Sequence, residues 1–277
     1  MLSILHPERS PKTNALVLSL AFITVFILSL VLASFPVMML PKTRSSLYYG
    51  IFGTAGAFLT AGLFLGFKKQ RFASIGLVWE RLTVLRFIKG VCMGILLFAF
   101  VISFIMLLGG GYFKITSTIN YEQLLLSLLP VLPLALMEEI GFRSYPVVKL
   151  QQAYGAWAVQ IILAFAFAFY HILNGWGIAI SFFGPFIWSF VFCLAAIRSK
   201  GIAMSTGIHF ALNIMQNLAG MKRSGHSLFT IVYKNEANAA DQYIGISAHV
   251  LVLLGACIAT QMYVKKSLAG DQQRREF

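Results

Sequence analysis

Long runs of apolar residues, separated by short polar segments, dominate the chain. Since about 20 apolar residues cross the hydrocarbon core of a bilayer, several of these runs are long enough to form one membrane span each. They are Ala15–Leu40, Ser45–Phe67, Gly90–Phe113, Gly201–Met221 and Gln242–Val264. Leu150–Ile197 contains no Asp, Glu, Lys or Arg and is long enough for two spans, with a turn predicted at residues 174–177.

One further span is predicted from Leu124 through two prolines to the paired glutamates Glu138 and Glu139. The apolar runs are continuous, whereas the strands of a membrane barrel alternate apolar and polar residues. The pattern therefore predicts an all-α, polytopic membrane protein with about eight transmembrane helices, in a single integral membrane domain covering residues 1–277. The first run has no small-residue cleavage site, so we expect it to be retained as a span.

Composition excludes a soluble domain, because 58% of the residues are hydrophobic and mean hydropathy is +0.80. The net charge is +13, and the basic residues that cause it are distributed unequally between the two predicted sides of the membrane. With both termini placed in the cytoplasm, sixteen of the 22 basic residues fall on the inner side. The six predicted on the outer side are Lys42, Arg44, Lys114, Lys222, Arg223 and Lys234.

The inner cations face the anionic lipid surface in this arrangement, so the partner predicted from charge is the lipid bilayer and no nucleic acid is expected. Short loops and a terminus without an organelle-retrieval signal favour a multi-pass protein of a prokaryotic cytoplasmic membrane.

Glu138 and Glu139 are an energetic anomaly inside an apolar stretch. A charged side chain at the centre of a membrane helix costs roughly 2.5–3.5 kcal/mol, so the pair needs partners or a purpose. Arg143 lies four residues after Glu139, which predicts an ion pair on one helix face. Glu138 points about 100° away and cannot share that partner equally. A desolvated carboxylate of this kind suits a general base working near neutral pH.

Two later spans carry polar groups at helical spacing. His171 follows Phe167 by one turn, and His209 precedes Asn213 by one turn. Counted from the predicted inner ends of the spans, Glu138 and His209 lie at roughly 7 and 12 Å of helix rise. His171 lies at roughly 20 Å, so depth supports a shared site only in part.

The three motifs that contain these residues together resemble a family signature. Glu138-Glu139-x-x-x-Arg143, Phe167-x-x-x-His171 and His209-x-x-x-Asn213 are similar to the motifs of the CAAX-protease and bacteriocin-processing family, also called Abi. Its eukaryotic relatives are the Ras-converting CAAX prenyl proteases. The resemblance covers a core at residues 124–218 and implies a CAAX-protease-like helical bundle with glutamate-dependent intramembrane endopeptidase activity.

The resemblance also implies a role for each motif residue. Glu138 would take a proton from water, and His171 would help to hold and activate that water. His209 and Asn213 would stabilise the oxyanion. The implied supporting residues are Glu139, Arg143 and Phe167.

Metal dependence is a separate question. If zinc is present, Glu138, His171 and His209 form the predicted ligand set. The chain lacks a His-Glu-x-x-His motif, and Asn213 is a more natural oxyanion donor than zinc ligand. We therefore predict catalysis without a cofactor, with a divalent metal such as zinc as the alternative.

The substrate is predicted to be a membrane-associated or lipid-modified protein or peptide. Two other functions agree with parts of the pattern. Acidic and histidine residues inside membranes also build proton relays, so a proton-coupled transporter is one. A non-catalytic membrane partner with the same fold, such as a bacteriocin-immunity or sensor-binding protein, is the other.

Overall fold

The structure is a computed structural model that describes residues 10–66, 69–222, 226–233 and 239–273. Helices make up almost all of it. The longer ones are α1 (Pro11–Met38), α2 (Ser45–Gly66), α3 (Thr83–Gly109), α6 (Tyr145–Leu173) and α10 (Ala239–Gln273). The shorter ones are α4 (Tyr121–Leu128), α5 (Val131–Arg143), α7 (Ile178–Ser181), α8 (Ile187–Ser199) and α9 (Ala203–Leu218).

The all-α membrane architecture is confirmed. Six helical stretches of the described chain are long and apolar enough to cross a membrane. The count of eight spans is not confirmed, because residues 121–173 form one candidate stretch of 53 residues and α9 has only 16 residues. The predicted turn after His171 is present, since α6 ends at Leu173 and α7 begins at Ile178.

A two-stranded ribbon interrupts the helical pattern at one end of the bundle. The third apolar run was expected to be helical through Phe113, but α3 ends at Gly109 and Gly110 adopts φ +64°. Strand β1 (Gly111–Ile115) then pairs antiparallel with β2 (Phe229–Tyr233), which follows α9. The run changes structure because a left-handed glycine ends the helix.

Three residues of the sequence predictions lie outside the described residues: Phe67, Arg223 and Lys234.

Glycines bring α3 and α9 into backbone contact. A Cβ atom on Gly207 would lie 2.2 Å from the Phe87 carbonyl oxygen, and one on Gly90 would lie 2.2 Å from that of Met204. Neither position has room for a side chain, so glycine sets the separation of the two helices. This contact holds α9, which carries His209 and Asn213, against α3.

Glycine also lets α2 approach α5, the helix that carries the paired glutamates. A Cβ atom on Gly53 would lie 2.1 Å from the Met137 sulfur. One residue later, the Thr54 hydroxyl donates a hydrogen bond to the Pro133 carbonyl at 2.9 Å. Packing and a polar anchor therefore fix the position of α5 beside α2.

Candidate active site

A buried ion pair joins Glu139 and Arg143 on α5. Arg143 Nη1 lies 3.6 Å from Glu139 Oε1, and neither side chain has exposed area. Arg143 Nη2 donates a hydrogen bond to Ser189 Oγ of α8 at 3.0 Å. The guanidinium carbon also lies 4.1 Å from the centre of the Phe167 ring of α6. The pair therefore ties α5 to α6 and α8 through charge, a hydrogen bond and a cation–π contact.

His209 of α9 lies between the two glutamates. Its Nδ1 is 2.9 Å from Glu139 Oε1, and its Nε2 is 3.6 Å from Glu138 Oε2. The Phe192 ring stacks on the imidazole with centroids 4.6 Å apart and planes 14° apart. A carboxylate accepts hydrogen bonds, so the Glu139 contact places a hydrogen on Nδ1 and leaves Nε2 directed toward Glu138. The sequence pattern assigned Glu139 to Arg143 alone and missed this second contact.

His171 of α6 is oriented in a similar way by a backbone acceptor. Its Nδ1 lies 2.8 Å from the Phe167 carbonyl oxygen. The ring makes edge contacts with Phe167 at 4.6 Å and with Trp176 at 4.9 Å between centroids. Because a carbonyl can only accept, the hydrogen lies on Nδ1 and the Nε2 lone pair is available to bind a proton, a water molecule or a metal ion.

Glu138 has no part in the Arg143 pair and is the more accessible of the two glutamates. Its side chain is 14% exposed, whereas that of Glu139 is fully buried. It interacts electrostatically with His171 and with the phenols of Tyr49 on α2 and Tyr170 on α6. A carboxylate that other groups surround without neutralising is suited to receive a proton.

Asn213 lies one turn beyond His209, and its partner is Lys222. Lys222 Nζ donates a hydrogen bond to Asn213 Oδ1 at 2.8 Å, and the same ammonium interacts electrostatically with Glu138. The charge pattern of the sequence predicts Lys222 only as an outer-loop cation. No helical spacing links it to Asn213, because α9 ends at Leu218 between them. The turn at Gly220 is the only local signal in the sequence that the chain reverses there.

The structure removes the mismatch in depth between His171 and the glutamates. That mismatch assumed that the fourth span ends near a membrane surface at Phe142. Phe142 instead is buried and contacts the Phe167 ring at 5.1 Å, about 15 Å along α6 from Trp157. Gly155, with φ +81° and ψ 177°, interrupts α6 before Trp157. The end of α5 is buried inside the bundle, and Glu138 is close enough to His171 for the two side chains to interact electrostatically.

The predicted zinc set was tested against this geometry. Zinc ligands must converge within about 2.0–2.2 Å of one point. Across residues 10–66, 69–222, 226–233 and 239–273, no group of three or more His, Cys, Asp or Glu side chains is placed to hold a metal ion. The described residues therefore contain no preformed zinc site, and no step below uses one.

Comparison with known proteins identifies the segment that carries this site. Residues 120–215 match the sequence model of a family described as Rce1-like, type II CAAX prenyl endopeptidase. This core is similar to the Rce1-like family. The predicted family is therefore confirmed, and a search of curated proteins found no match.

The Rce1-like segment begins at Asn120, whose side chain caps α4, and ends within α9. It contains all seven residues of the three motifs, but neither Lys222 nor either strand of the ribbon. The match implies CAAX-type intramembrane endopeptidase activity, and the apolar helices make the chain a multi-pass membrane protein.

Proposed function

We propose that the protein is an intramembrane endopeptidase that hydrolyses a peptide bond of a membrane-associated or lipid-modified protein, with Glu138 as general base. The observation that carries the proposal is that the two glutamates have different partners. Glu139 is committed to Arg143 and His209, at 3.6 and 2.9 Å. Glu138 instead faces His209 Nε2 from 3.6 Å, and no lysine or arginine of the described chain lies within salt-bridge distance of it.

In the proposed reaction, Glu138 takes a proton from a water molecule that His171 Nε2 helps to orient. The resulting hydroxide attacks the scissile carbonyl carbon and forms a tetrahedral intermediate. Glu138 then returns the proton to the leaving nitrogen as the carbon–nitrogen bond breaks. One water is consumed, and one carboxylic acid and one amine are released.

The negative charge on the intermediate needs donors that are already in place. Asn213 can supply one from its Nδ2 amide, because Lys222 occupies its oxygen. His209 can donate from Nε2 only when its ring carries both hydrogens, since the Nδ1 hydrogen serves Glu139. The Glu139 carboxylate, 2.9 Å from Nδ1, balances the charge of that imidazolium, because Glu138 holds the proton taken from water at this stage.

We propose that a cleft between three helices is the route by which the peptide reaches Glu138. It has a volume of 280 Å³ and lies between α1, α2 and α5. Tyr49, which interacts electrostatically with Glu138, lines it. The complete lining is Val37, Ser45, Ser46, Tyr49 and Leu134. Its hydroxyl groups can bind a peptide backbone, and its apolar members can contact a lipid-modified or hydrophobic side chain.

The proposal is tested by comparing the termini of membrane proteins in cells that produce the wild-type protein or Glu138→Gln. We expect new termini that depend on Glu138, and peptides that span those termini should be cut by the purified wild-type protein in liposomes. Proton-driven uptake of a solute into the same liposomes, without peptide hydrolysis, would instead support a transporter. A cellular phenotype that survives combined loss of Glu138, His171 and His209 would support a non-catalytic partner.

Metal removal provides a further prediction. We expect peptide cleavage to continue at its normal rate after the purified protein is treated with a strong zinc chelator and dialysed. The reason is the type of residue present: the sequence has no His-Glu-x-x-His motif, and Asn213 suits an oxyanion better than a zinc ion. Metal content measured by mass spectrometry in the same samples is the control. Loss of cleavage together with loss of bound zinc, and recovery on adding zinc, would contradict the metal-free mechanism.

A further inference from the structure

Lys222 reaches the catalytic groups through a tight reversal after α9. Gly220 adopts φ +72°, and a Cβ atom there would lie 2.5 Å from the Phe229 carbonyl oxygen. The Met221 amide donates to the Gln216 carbonyl at 2.9 Å, and the Leu228 amide donates to the Leu218 carbonyl at 3.1 Å. These bonds hold the chain just before Lys222 against the end of α9, so its side chain extends back to Asn213.

The contact fixes the orientation of the Asn213 amide. A lysine ammonium has three donors and no acceptor, so it can bind only the oxygen of the amide. With Oδ1 held by Lys222 at 2.8 Å, the NH₂ group must point elsewhere. Without such a partner, an asparagine side chain can turn by 180° and present its oxygen instead of its donors. An oxygen facing the oxyanion would repel it.

We propose that Lys222 is a positioning residue of the active site, which holds Asn213 with its NH₂ group directed at the developing oxyanion. This inference rests on the proposed function and assigns a residue outside the Rce1-like segment to the same site. The ammonium also adds a positive charge near Glu138, which favours the accumulation of negative charge during the reaction.

Protonation of Lys222 connects this role to pH. Burial lowers the pKa of Lys222 to about 8, while the Glu138 carboxylate, the charged neighbour acting on it, opposes the decrease. Below that value the ammonium can only donate. Above it the neutral amine has a lone pair and can accept from the Asn213 NH₂ group, so the amide orientation is no longer fixed. Cleavage that depends on this contact should therefore decrease as pH rises through about 8.

The test measures kcat and KM of Lys222→Met in liposomes. We expect kcat to fall roughly 10- to 100-fold with KM changed less, because the contact acts on the transition state. Lys222→Arg should recover part of the loss. The decrease in kcat/KM above pH 8 should disappear in Lys222→Met. On an Asn213→Ala background, Lys222→Met should have almost no further effect, because its effect acts through the missing amide.

Lys114→Met is the matched control, since Lys114 is an exposed lysine of the neighbouring ribbon. If Lys222→Met cleaves as fast as Lys114→Met, or if its effect adds fully to that of Asn213→Ala, the positioning role is wrong while the proposed function stands. If the wild-type protein cleaves no peptide, both fail. Circular dichroism and thermal unfolding of each variant show whether it has folded.

A second inference concerns a long groove between α3, α8 and α10, distinct from the residues of the catalytic site. Its volume is 670 Å³. On α3 its lining extends from Arg86 to Phe100, about 21 Å of helix. Three cations, Arg86, Lys89 and Arg198, lie on its wall, and the rest of the lining is mostly apolar. Arg86 is already paired with Glu80, whereas Lys89 and Arg198 are exposed.

The chemistry of this groove points to an anionic phospholipid. We infer that the phosphate binds at Lys89 and Arg198 and that one acyl chain follows the groove. The length of the groove exceeds the thickness of one leaflet's hydrocarbon layer, about 15 Å, so a chain anchored at the cationic end can lie fully within it. A phosphate pairs with the two cations, and the methylenes contact Met93, Leu97 and Leu251.

Gly255 provides a sharp test, because it lines the groove and a Cβ atom there would have no neighbour within 4 Å. Gly255→Phe should fill the groove without a clash. Gly245→Phe is the control, since Gly245 also faces open space but lies outside the groove. Native mass spectrometry of protein taken from vesicles of phosphatidylglycerol and phosphatidylcholine would measure retained lipid.

We expect wild-type protein and Gly245→Phe to retain phosphatidylglycerol, and Gly255→Phe to lose it. Lys89→Gln combined with Arg198→Gln should also lose it, whereas the exposed pair Lys265→Gln and Lys266→Gln should not. Equal retention in Gly255→Phe and Gly245→Phe, or equal retention of both lipids by the wild-type protein, would overturn the inference.

Discussion

Glu138→Gln is expected to lower the rate of peptide cleavage by about 10³-fold or more, because it removes the general base and leaves size and hydrogen bonding nearly unchanged. The variant should fold normally. Glu138 is not part of the buried Arg143 pair, and its side chain retains some exposure. The measurement is single-turnover cleavage of a substrate peptide in liposomes, with thermal unfolding of the same preparation.

Glu122→Gln is the matched control for that experiment. Glu122 is an exposed glutamate in the first turn of α4, and the same chemical change there should leave cleavage unchanged. Wild-type rates in Glu138→Gln would rule out the proposed mechanism. A rate that decreases equally in both variants would show that the decrease does not come from loss of the base.

Arg143→Met is expected to give the largest loss of stability. It leaves the Glu139 carboxylate buried without its cation, and breaking a buried pair in this way costs about 3–5 kcal/mol. Methionine can fill much of the space among the rings, so the expected loss comes chiefly from the uncompensated charge. Thermal or denaturant unfolding in detergent would measure the change in the free energy of unfolding.

The double variant Glu139→Gln with Arg143→Met separates charge from packing. We expect it to be more stable than Arg143→Met alone, since no unpaired charge remains. Arg81→Met, at an exposed arginine of the described chain, controls for loss of a positive charge. If Arg143→Met unfolds at the same denaturant concentration as Arg81→Met, the ion pair has no structural role.

The spacing of residues along one helix predicted contacts well. Glu139 and Arg143 are four residues apart on α5, and the structure pairs them. The family was also predicted correctly, because three short motifs in the right order are more specific than any one of them. These successes share one cause: the residues of each pair or motif lie on one regular helix.

Contacts that depend on a change of chain direction were not predicted. Lys222 lies beyond the end of α9, and only the reversal at Gly220 brings it to Asn213. The Glu139–His209 contact joins two helices 70 residues apart, and no periodic pattern records such a pair.

Phe167 makes contacts whose importance extends to how related sequences are interpreted. Its ring lies against the Arg143 guanidinium at 4.1 Å, and its centroid lies 4.6 and 6.3 Å from those of His171 and His209. One aromatic substitution would therefore disturb three polar groups at once. A homologue that keeps every ionisable motif residue but lacks this ring should be classed as inactive until assayed, so surveys that score only the charged positions will overcount working proteases.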